Sequence, residues 1–150
     1  EITCRDWSSD VCSSDLAVTN FNDSNSEGFA GAPYGSHDML IAWVDSGTLR
    51  YRVHTKESGW LGWVQSANYN DSVNGMAGLW GQTIDGVQMY YFTPNGDYKQ
   101  VYYRSQDVAH AGYWDEVCDD GSTYGGDDYA GIYGYALDRL QCYVSDGTRR

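Results

Sequence analysis

Apolar and polar residues alternate in two similar stretches of the chain, and this alternation predicts short β-strands. One stretch covers residues 39–44, 48–54 and 59–64, which are separated by the turn residues Asp-Ser-Gly and Lys-Glu-Ser. Another covers residues 85–91, 100–105 and 113–117. Period-two alternation between turns is typical of strands with one buried face. The pattern therefore predicts antiparallel meanders, and the Pro-Asn-Gly-Asp sequence at 94–97 predicts a hairpin within the second.

The dipeptide Ala-Gly occurs in three equivalent places, and in each an aspartate follows the glycine seven residues later. The dipeptides are at 30–31, 77–78 and 130–131, and the acids are Asp38, Asp85 and Asp138. Copies two and three stay in register at an offset of 53 residues, whereas copy one matches copy two over only part of its length. Such self-similarity indicates a repeated supersecondary unit. We predict units at 17–44, 45–91 and 92–147, the first of them truncated at its start.

Three meander units predict an all-β domain, in which antiparallel sheets surround a pseudo-threefold axis in the manner of a β-prism. A β-trefoil is the alternative, because three units of about 50 residues would also suit that fold. The Asp-led strand at 138–144 has no strand after it with which to pair. We therefore expect the first and last segments of the domain to meet in one sheet.

Period two along the Asp-led strands predicts one buried face. Its members are Leu40, Ala42, Val44, Val87, Met89, Tyr91, Leu140, Cys142 and Val144. Gln88 and Gln141 fall on the opposite face. Cys142 occupies the position of Ala42 and Met89, which predicts a small buried apolar residue, with a disulfide to Cys118 as the alternative.

Residues 1–16 differ from the rest of the chain. They contain Ser-Ser-Asp twice, two of the four cysteines and no periodic apolar pattern. The string RDWSSDVCSSDL resembles a translated sequencing-adapter remnant, and a Ser-rich linker or processing segment is the alternative. We expect residues 1–16 to be non-native and residues 17–147 to form a single three-repeat domain.

The charge of the chain excludes some classes of function. Asp and Glu number 21 against 9 Lys and Arg, which gives a net charge of −12. Nucleic-acid binding depends on basic side chains that neutralise phosphates, so we expect no nucleic-acid partner. No apolar run approaches the roughly 20 residues of a membrane-spanning helix, so we expect no membrane partner.

The connections before the Asp-led strands are rich in Asn, Asp, Gly and aromatic residues. Carboxylates and amides bond sugar hydroxyls, and aromatic rings pack against the apolar side of a pyranose. The candidate ligand-binding residues are Asp38, Asp85, Asp138, Trp80, Tyr133, Asn70 and Asp71. For the three strand acids, the competing interpretation is that each caps its own turn. The residues predicted to pack within the strands are Trp43, Trp60, Trp63 and Trp114.

The sequence contains no recognisable metal-binding or catalytic motif. The acids between 115 and 128 and the oxygen-bearing residues between 68 and 74 could coordinate Ca²⁺, but neither stretch matches an EF-hand. The histidines, His37, His54 and His110, are scattered, and His54 is predicted to lie at the surface beside Arg50 and Arg52. We predict no metal, no cofactor and no enzyme activity. Repetition of the candidate site instead suits a multivalent binder.

Residues 17–147 resemble the Trp/Tyr-rich repeat domains of bacterial and phage cell-wall hydrolases, which are akin to the clostridial hydrophobic Trp repeats. The stretches that carry the resemblance are YRVHTKESGWLGWV, NDSVNGMAGLWGQTIDGVQMYY and YAGIYGYALDRLQCYV. More loosely, GQTIDGVQMYY and GYALDRLQCYV are similar to strands of jacalin-related β-prism lectins, in which the aspartate binds sugar hydroxyls. That likeness points to Asp85 and Asp138.

These resemblances imply a non-catalytic module that binds cell-wall glycan or another polysaccharide. They also imply an extracellular, wall-associated location and an original attachment to a peptidoglycan hydrolase. Two alternatives remain open. One is a structural or protein-interaction β domain, and the other is a glycoside hydrolase that uses paired carboxylates.

Overall fold

The computed structural model describes residues 2–7, 28–32, 34–68, 70–71, 73–94, 98–119 and 128–145, and every regular element among them is a β-strand. The strands are β1 (Ile2–Trp7), β2 (Ala30–Gly31), β3 (Met39–Val44), β4 (Thr48–Thr55), β5 (Gly59–Trp60), β6 (Ala77–Gly78), β7 (Ile84–Phe92), β8 (Gln100–Asp107), β9 (Val117–Cys118), β10 (Ala130–Gly131) and β11 (Leu137–Ser145). The all-β prediction is therefore confirmed. No helix in this part of the chain has the length and apolar character needed to cross a membrane.

The strands form three antiparallel sheets, with the orders β1-β3-β6, β10-β7-β4-β5 and β2-β11-β8-β9. In each sheet an Asp-led strand, β3, β7 or β11, has a long strand on one side and a two-residue Ala-Gly strand on the other. Over the described residues these sheets do not close into a barrel.

The structure contradicts the predicted hairpin at 94–97, of which residues 95–97 lie outside the described residues. The strands on either side of it, β7 and β8, belong to different sheets, and so do β3 and β4. Instead, β4 pairs with β7, from Thr48 opposite Phe92 to Thr55 opposite Ile84, and β8 pairs with β11. Turn residues indicate a change of chain direction, but they do not determine which strand becomes the hydrogen-bonded partner.

The beginning and end of the domain meet in one sheet, as predicted, because Ala30 of β2 lies opposite Leu140 of β11. Strand β1 comes from the segment that the sequence separates from the domain. It pairs with β3 from Ile2 opposite Val44 to Trp7 opposite Met39. Residues Ile2–Trp7, which we expected to lie outside the domain, thus form a strand of one of its sheets.

One apolar core lies between the sheets, and it contains the predicted buried positions of all three Asp-led strands. Leu40, Ala42, Val87, Met89, Tyr91, Leu140 and Cys142 are buried in it, and Val44 and Val144 pack against it in partly buried positions. A second, smaller cluster contains Met39, Ile41 and Met76 with Trp43, which confirms the packing role of Trp43. Period-two alternation was therefore sufficient to identify the core face.

Cys142 and Cys118 are both buried, and no disulfide joins them. Their cross-strand partners explain why they remain apart, since Cys118 lies opposite Tyr102 and Cys142 lies opposite the next residue, Tyr103. Successive residues of a strand point to opposite faces of the sheet, so the two sulfur atoms lie on opposite faces.

The residues that immediately precede the three strand acids lie together around a small apolar cavity. His37, Ile84 and Leu137 line it, along with inward residues of the three Asp-led strands such as Leu140. The backbone N–H of Ile84 donates to the carbonyl of His37 over 2.9 Å. The starts of the three Asp-led strands therefore converge at one end of the core.

Candidate functional site

Each of the three strand acids accepts a hydrogen bond from a loop that follows an Ala-Gly strand. The Oδ2 atoms of Asp38, Asp85 and Asp138 accept from the backbone N–H groups of Gly81 (2.9 Å), Gly134 (2.8 Å) and Tyr34 (2.9 Å), respectively. The three acids are only 5%, 1% and 0% exposed. Each acid therefore caps a loop more than 40 residues away in the sequence, rather than its own turn, through a charge-assisted bond.

The Ala-Gly strands approach the Asp-led strands too closely for a side chain. Gly78 and Gly131 have φ values of +125° and +122°, and an added Cβ would collide with the backbone carbonyl oxygen of Asp38 or Asp85. Glycine is the residue that tolerates both the conformation and the approach. The repeated glycine is thus explained by backbone contact.

The loop residues that bond the acids also have left-handed backbones. Gly81 and Gly134 have φ values of +83° and +93°, whereas Tyr34 adopts +61° with a side chain present. The Tyr34 ring is 83% exposed. The first loop therefore carries a conformational strain that glycine avoids in the other two.

Two of the candidate rings lie at the tips of these capped loops. Trp80 and Tyr133 are 49% and 48% exposed, and each precedes the glycine whose N–H group bonds an acid. Trp80 therefore lies on the loop that is hydrogen-bonded to Asp38, and Tyr133 lies on the loop that is hydrogen-bonded to Asp85.

Tyr133 belongs to a group of four rings, His54, Trp60, Tyr129 and Tyr133, which we call the ring cluster. Tyr133 stacks on Tyr129 with ring centroids 4.8 Å apart and on His54 with centroids 4.1 Å apart. The Trp60 ring packs edge-on against the other three, and its Nε1–H group donates to the Tyr133 hydroxyl over 2.9 Å. These contacts fix the orientation of a half-exposed aromatic side chain.

Gly86 provides the space that the ring cluster occupies. A Cβ at this position would lie 3.2 Å from Cβ of His54, 3.4 Å from the Tyr129 ring and 3.7 Å from the Trp60 ring. Gly86 faces His54 across the β4–β7 ladder. Because Gly86 of β7 has no side chain, His54 of β4, Trp60 of β5 and Tyr129, just before β10, can all lie next to it.

Asp85 connects the ring cluster to the capped loop. Its Oδ1 atom accepts a 2.5 Å hydrogen bond from Nδ1 of His54, while its Oδ2 atom accepts from Gly134. The carboxylate is 1% exposed, so it positions other groups and presents little surface of its own. His54 is consequently held by a carboxylate on one side and by the Tyr133 ring on the other.

Two sheet faces point away from the apolar core, although several of their residues are themselves buried. The β4–β7 face consists of Arg50, Arg52 and His54 of β4 and Gly86, Gln88 and Tyr90 of β7. The β8–β11 face consists of Tyr102, Arg104 and Gln106 of β8 and Arg139, Gln141 and Tyr143 of β11. These residues lie opposite one another in pairs in the two ladders.

The two glutamines predicted to face away from the core lie on these faces, and each joins an arginine to a loop. Arg52 Nε donates to Gln88 Oε1 (2.7 Å), and Gln88 Nε2 donates to the carbonyl of Asp128 (2.8 Å). Arg104 Nε donates to Gln141 Oε1 (2.8 Å), and Gln141 Nε2 donates to the carbonyl of Gly28. The same relay therefore anchors the chain two residues before β10 and before β2.

The candidates Asn70 and Asp71 take part in a turn of their own. Asp71 Oδ1 accepts from the backbone N–H groups of Val73 and Asn74 (3.0 Å each), and the N–H group of Asn70 donates to Asn68 Oδ1. These backbone bonds lower the pKa of the Asp71 carboxyl below its ordinary value. The contacts of both residues thus serve the turn, and Ser72 lies outside the described residues.

Among the described residues there is no group of three or more His, Cys, Asp and Glu side chains that could hold a metal ion. Asp120 and Asp127 of the acidic stretch lie outside those residues. Asp119 is fully buried, and its Oδ1 atom accepts from the N–H group of Val101 over 2.9 Å.

His54, Trp60 and Tyr129 are functional candidates that sequence reasoning missed. The sequence predicts that His54 lies at the surface and that Trp60 packs; the structure shows that Trp60 packs against His54, Tyr129 and Tyr133, and that His54 belongs to the same cluster. The available signal was the outward series Arg50, Arg52 and His54 followed by Trp60. Its meaning depends on Gly86 and Tyr129, which are distant in sequence.

Comparison with protein-family models, with curated proteins and with solved structures found no match.

Proposed function

We propose that this chain is a non-catalytic carbohydrate-binding module whose ligand is a bacterial cell-wall glycan. The observation that carries the proposal is the pair of half-exposed rings, Trp80 and Tyr133. They lie on loops whose backbone N–H groups donate hydrogen bonds to the buried carboxylates of Asp38 and Asp85. Rigid aromatic surface beside polar N–H and O–H groups is what a pyranose requires. In this proposal the acids position the loops and the rings contact the sugar.

The arrangement of the sheets supports a β-prism-like fold with pseudo-threefold repetition as part of this proposal. Three Asp-led strands have the same two kinds of neighbour, and three acids bond equivalent loop positions. Each repeat would then supply one exposed aromatic residue, namely Trp80, Tyr133 or Tyr34. Linked weak sites increase the avidity for a polymer such as wall glycan. A secreted protein attached to a wall hydrolase would use such a module for targeting.

The test removes the two rings and measures binding to purified Gram-positive cell walls by co-sedimentation and to chitotetraose by calorimetry. We expect the variant that combines Trp80→Ala with Tyr133→Ala to bind walls at least about tenfold more weakly, which corresponds to roughly 1.4 kcal/mol. The reason is that both substitutions remove exposed ring surface, and Tyr133→Ala also removes its stacking on Tyr129 and His54, while the backbone N–H groups that bond Asp38 and Asp85 are kept.

Tyr135→Ala is the matched control, because Tyr135 is also 48% exposed and lies in the same loop but outside the ring cluster. We expect it to bind like the wild type. Wild-type protein that does not sediment with walls and does not bind chitotetraose would contradict the proposed function.

A further inference from the structure

The two ring nitrogens of His54 have different surroundings. Nδ1 donates to Oδ1 of Asp85, whose carboxylate is 1% exposed. Nε2 has no hydrogen-bond partner among the described residues and is not one of their buried polar atoms, and 16% of the His54 side chain is exposed. A carboxylate can only accept, so the ring proton lies on Nδ1. In the neutral ring, Nε2 therefore carries a lone pair that can accept a hydrogen bond.

Gly59 of β5 leaves space in front of this nitrogen. A Cβ added to Gly59 would lie 3.8 Å from Nε2 of His54, and within 4 Å of no other described atom outside the neighbouring residues. Gly59 has a φ value of +73°, which favours glycine, so the chain keeps this space free of a side chain. A ligand oxygen can therefore approach Nε2 from the side of Gly59.

The Tyr133 hydroxyl is a complementary group beside His54. It accepts from Nε1–H of Trp60 over 2.9 Å, and within the described part of the chain it donates to no acceptor. A phenolic hydroxyl both accepts and donates, so its hydrogen is available to a ligand. The Tyr133 and His54 rings are stacked with centroids 4.1 Å apart. The ring cluster thus presents one acceptor and one donor on adjacent rings.

We propose that Nε2 of His54 accepts a hydrogen bond from a free hydroxyl group of the glycan, while the Tyr133 hydroxyl donates to a neighbouring oxygen of the same sugar. This inference rests on the proposed function, because both groups belong to the ring cluster that would contact the sugar. The ligand class is a neutral pyranose in which a free hydroxyl adjoins an acceptor oxygen. N-acetylglucosamine has this pattern, because its acetamido carbonyl adjoins the C3 hydroxyl. Asp85 contributes by fixing which His54 nitrogen carries the proton.

The first measurement records long-range ¹H–¹⁵N spectra of the histidine rings with and without chitotetraose, at pH 8, where an imidazole is ordinarily neutral. We expect His54 to show a protonated Nδ1 and an unprotonated Nε2. Chitotetraose should shift the Nε2 resonance towards that of a protonated nitrogen, because a hydroxyl donates to it. His110 is the internal control, because its Nδ1 bonds the Gly112 carbonyl over 3.0 Å and its ring stacks on Trp114, outside the ring cluster. Its resonances should not move.

The second measurement compares variants by calorimetry with chitotetraose. His54→Asn keeps an amide N–H group for Asp85 but has no atom in the place of Nε2, and Tyr133→Phe keeps the ring but removes the hydroxyl. We expect each to weaken binding at least about threefold, which corresponds to the loss of one neutral hydrogen bond. His110→Asn is the matched control variant and should bind like the wild type.

Wild-type protein that binds chitotetraose without a shift of the His54 Nε2 resonance would overturn this inference while leaving the proposed function intact. A ring proton on Nε2 would also overturn it, as would wild-type affinity in either His54→Asn or Tyr133→Phe. The spectra use the wild type, so they decide the question even if a variant does not fold. A wild type that sediments with cell walls but does not bind chitotetraose would contradict this inference alone. If it does neither, the proposed function fails as well.

Discussion

The β4–β7 and β8–β11 faces share one backbone plan but differ in the side chains that they present. Both contain an Arg–Gln relay to a loop carbonyl. Where the first has Arg50 and Gly86, the second has Tyr102 and Arg139 at the same register positions. Gly86 leaves room for four rings, whereas the Arg139 guanidinium lies 5.3 Å from the Phe29 ring centroid and occupies the equivalent region.

The two faces also differ in charge. The sequence register aligns Trp63 with Glu116, and Glu116 accepts a hydrogen bond from the Tyr143 hydroxyl over 2.8 Å. The β8–β11 face therefore has an acid where the β4–β7 face has a ring stacked on two arginines. The shared relay therefore holds the same loop position in both sheets, whereas a few outward positions change the charge and shape that each face presents.

The largest expected effect comes from Gly86→Arg, which copies Arg139 into the β4–β7 face. An arginine at this position must displace His54 and Tyr129, because even its Cβ would lie only 3.2 Å and 3.4 Å from their nearest atoms. We expect glycan binding in calorimetry to weaken by more than about tenfold. The β-sheet signal in circular dichroism should remain, because the other face accommodates Arg139. Wild-type affinity in this variant would show that the ring cluster does not bind the glycan.

A smaller effect is expected from removing the relay in each face separately. Gln88→Ala and Gln141→Ala each leave a loop carbonyl and an arginine Nε without their partner. We therefore expect each to lower the free energy of unfolding by about 1–3 kcal/mol, as measured by urea denaturation. Only Gln88→Ala should also weaken glycan binding, because it releases the residues next to Tyr129. If only one of the two variants lost stability, the relay would not have the same role in both faces.

The smallest effect concerns the loops that bond Asp85 and Asp138. Tyr34→Gly relieves a φ of +61° and retains the N–H bond to Asp138, so we expect the free energy of unfolding to rise by up to about 1 kcal/mol. Gly134→Ala introduces the same strain into the other loop and should lower it by about 1–2 kcal/mol. Thermal unfolding measures both changes. Destabilisation by Tyr34→Gly would mean that the exposed Tyr34 ring makes stabilising contacts.

Much of the fold could be predicted from the sequence because the relevant signals are local. Alternation along each strand identified the buried face, including Cys142, and the Ala-Gly and Asp repeats marked the positions where strands meet. These signals depend only on whether neighbouring residues face the core or the solvent, which is a property of the strand itself.

The pairing of strands and the composition of the site were decided only by the tertiary structure. The sequence indicated a turn after β7 into β8, but β7 lies between β10 and β4, and its long partner β4 precedes it in the chain with β5 and β6 in between. Likewise, Asp85 accepts hydrogen bonds from Gly134, which is 49 residues away, and from His54, which is 31 residues away. Such contacts depend on which sheets share the core, and residue patterns along one strand contain no information about that choice.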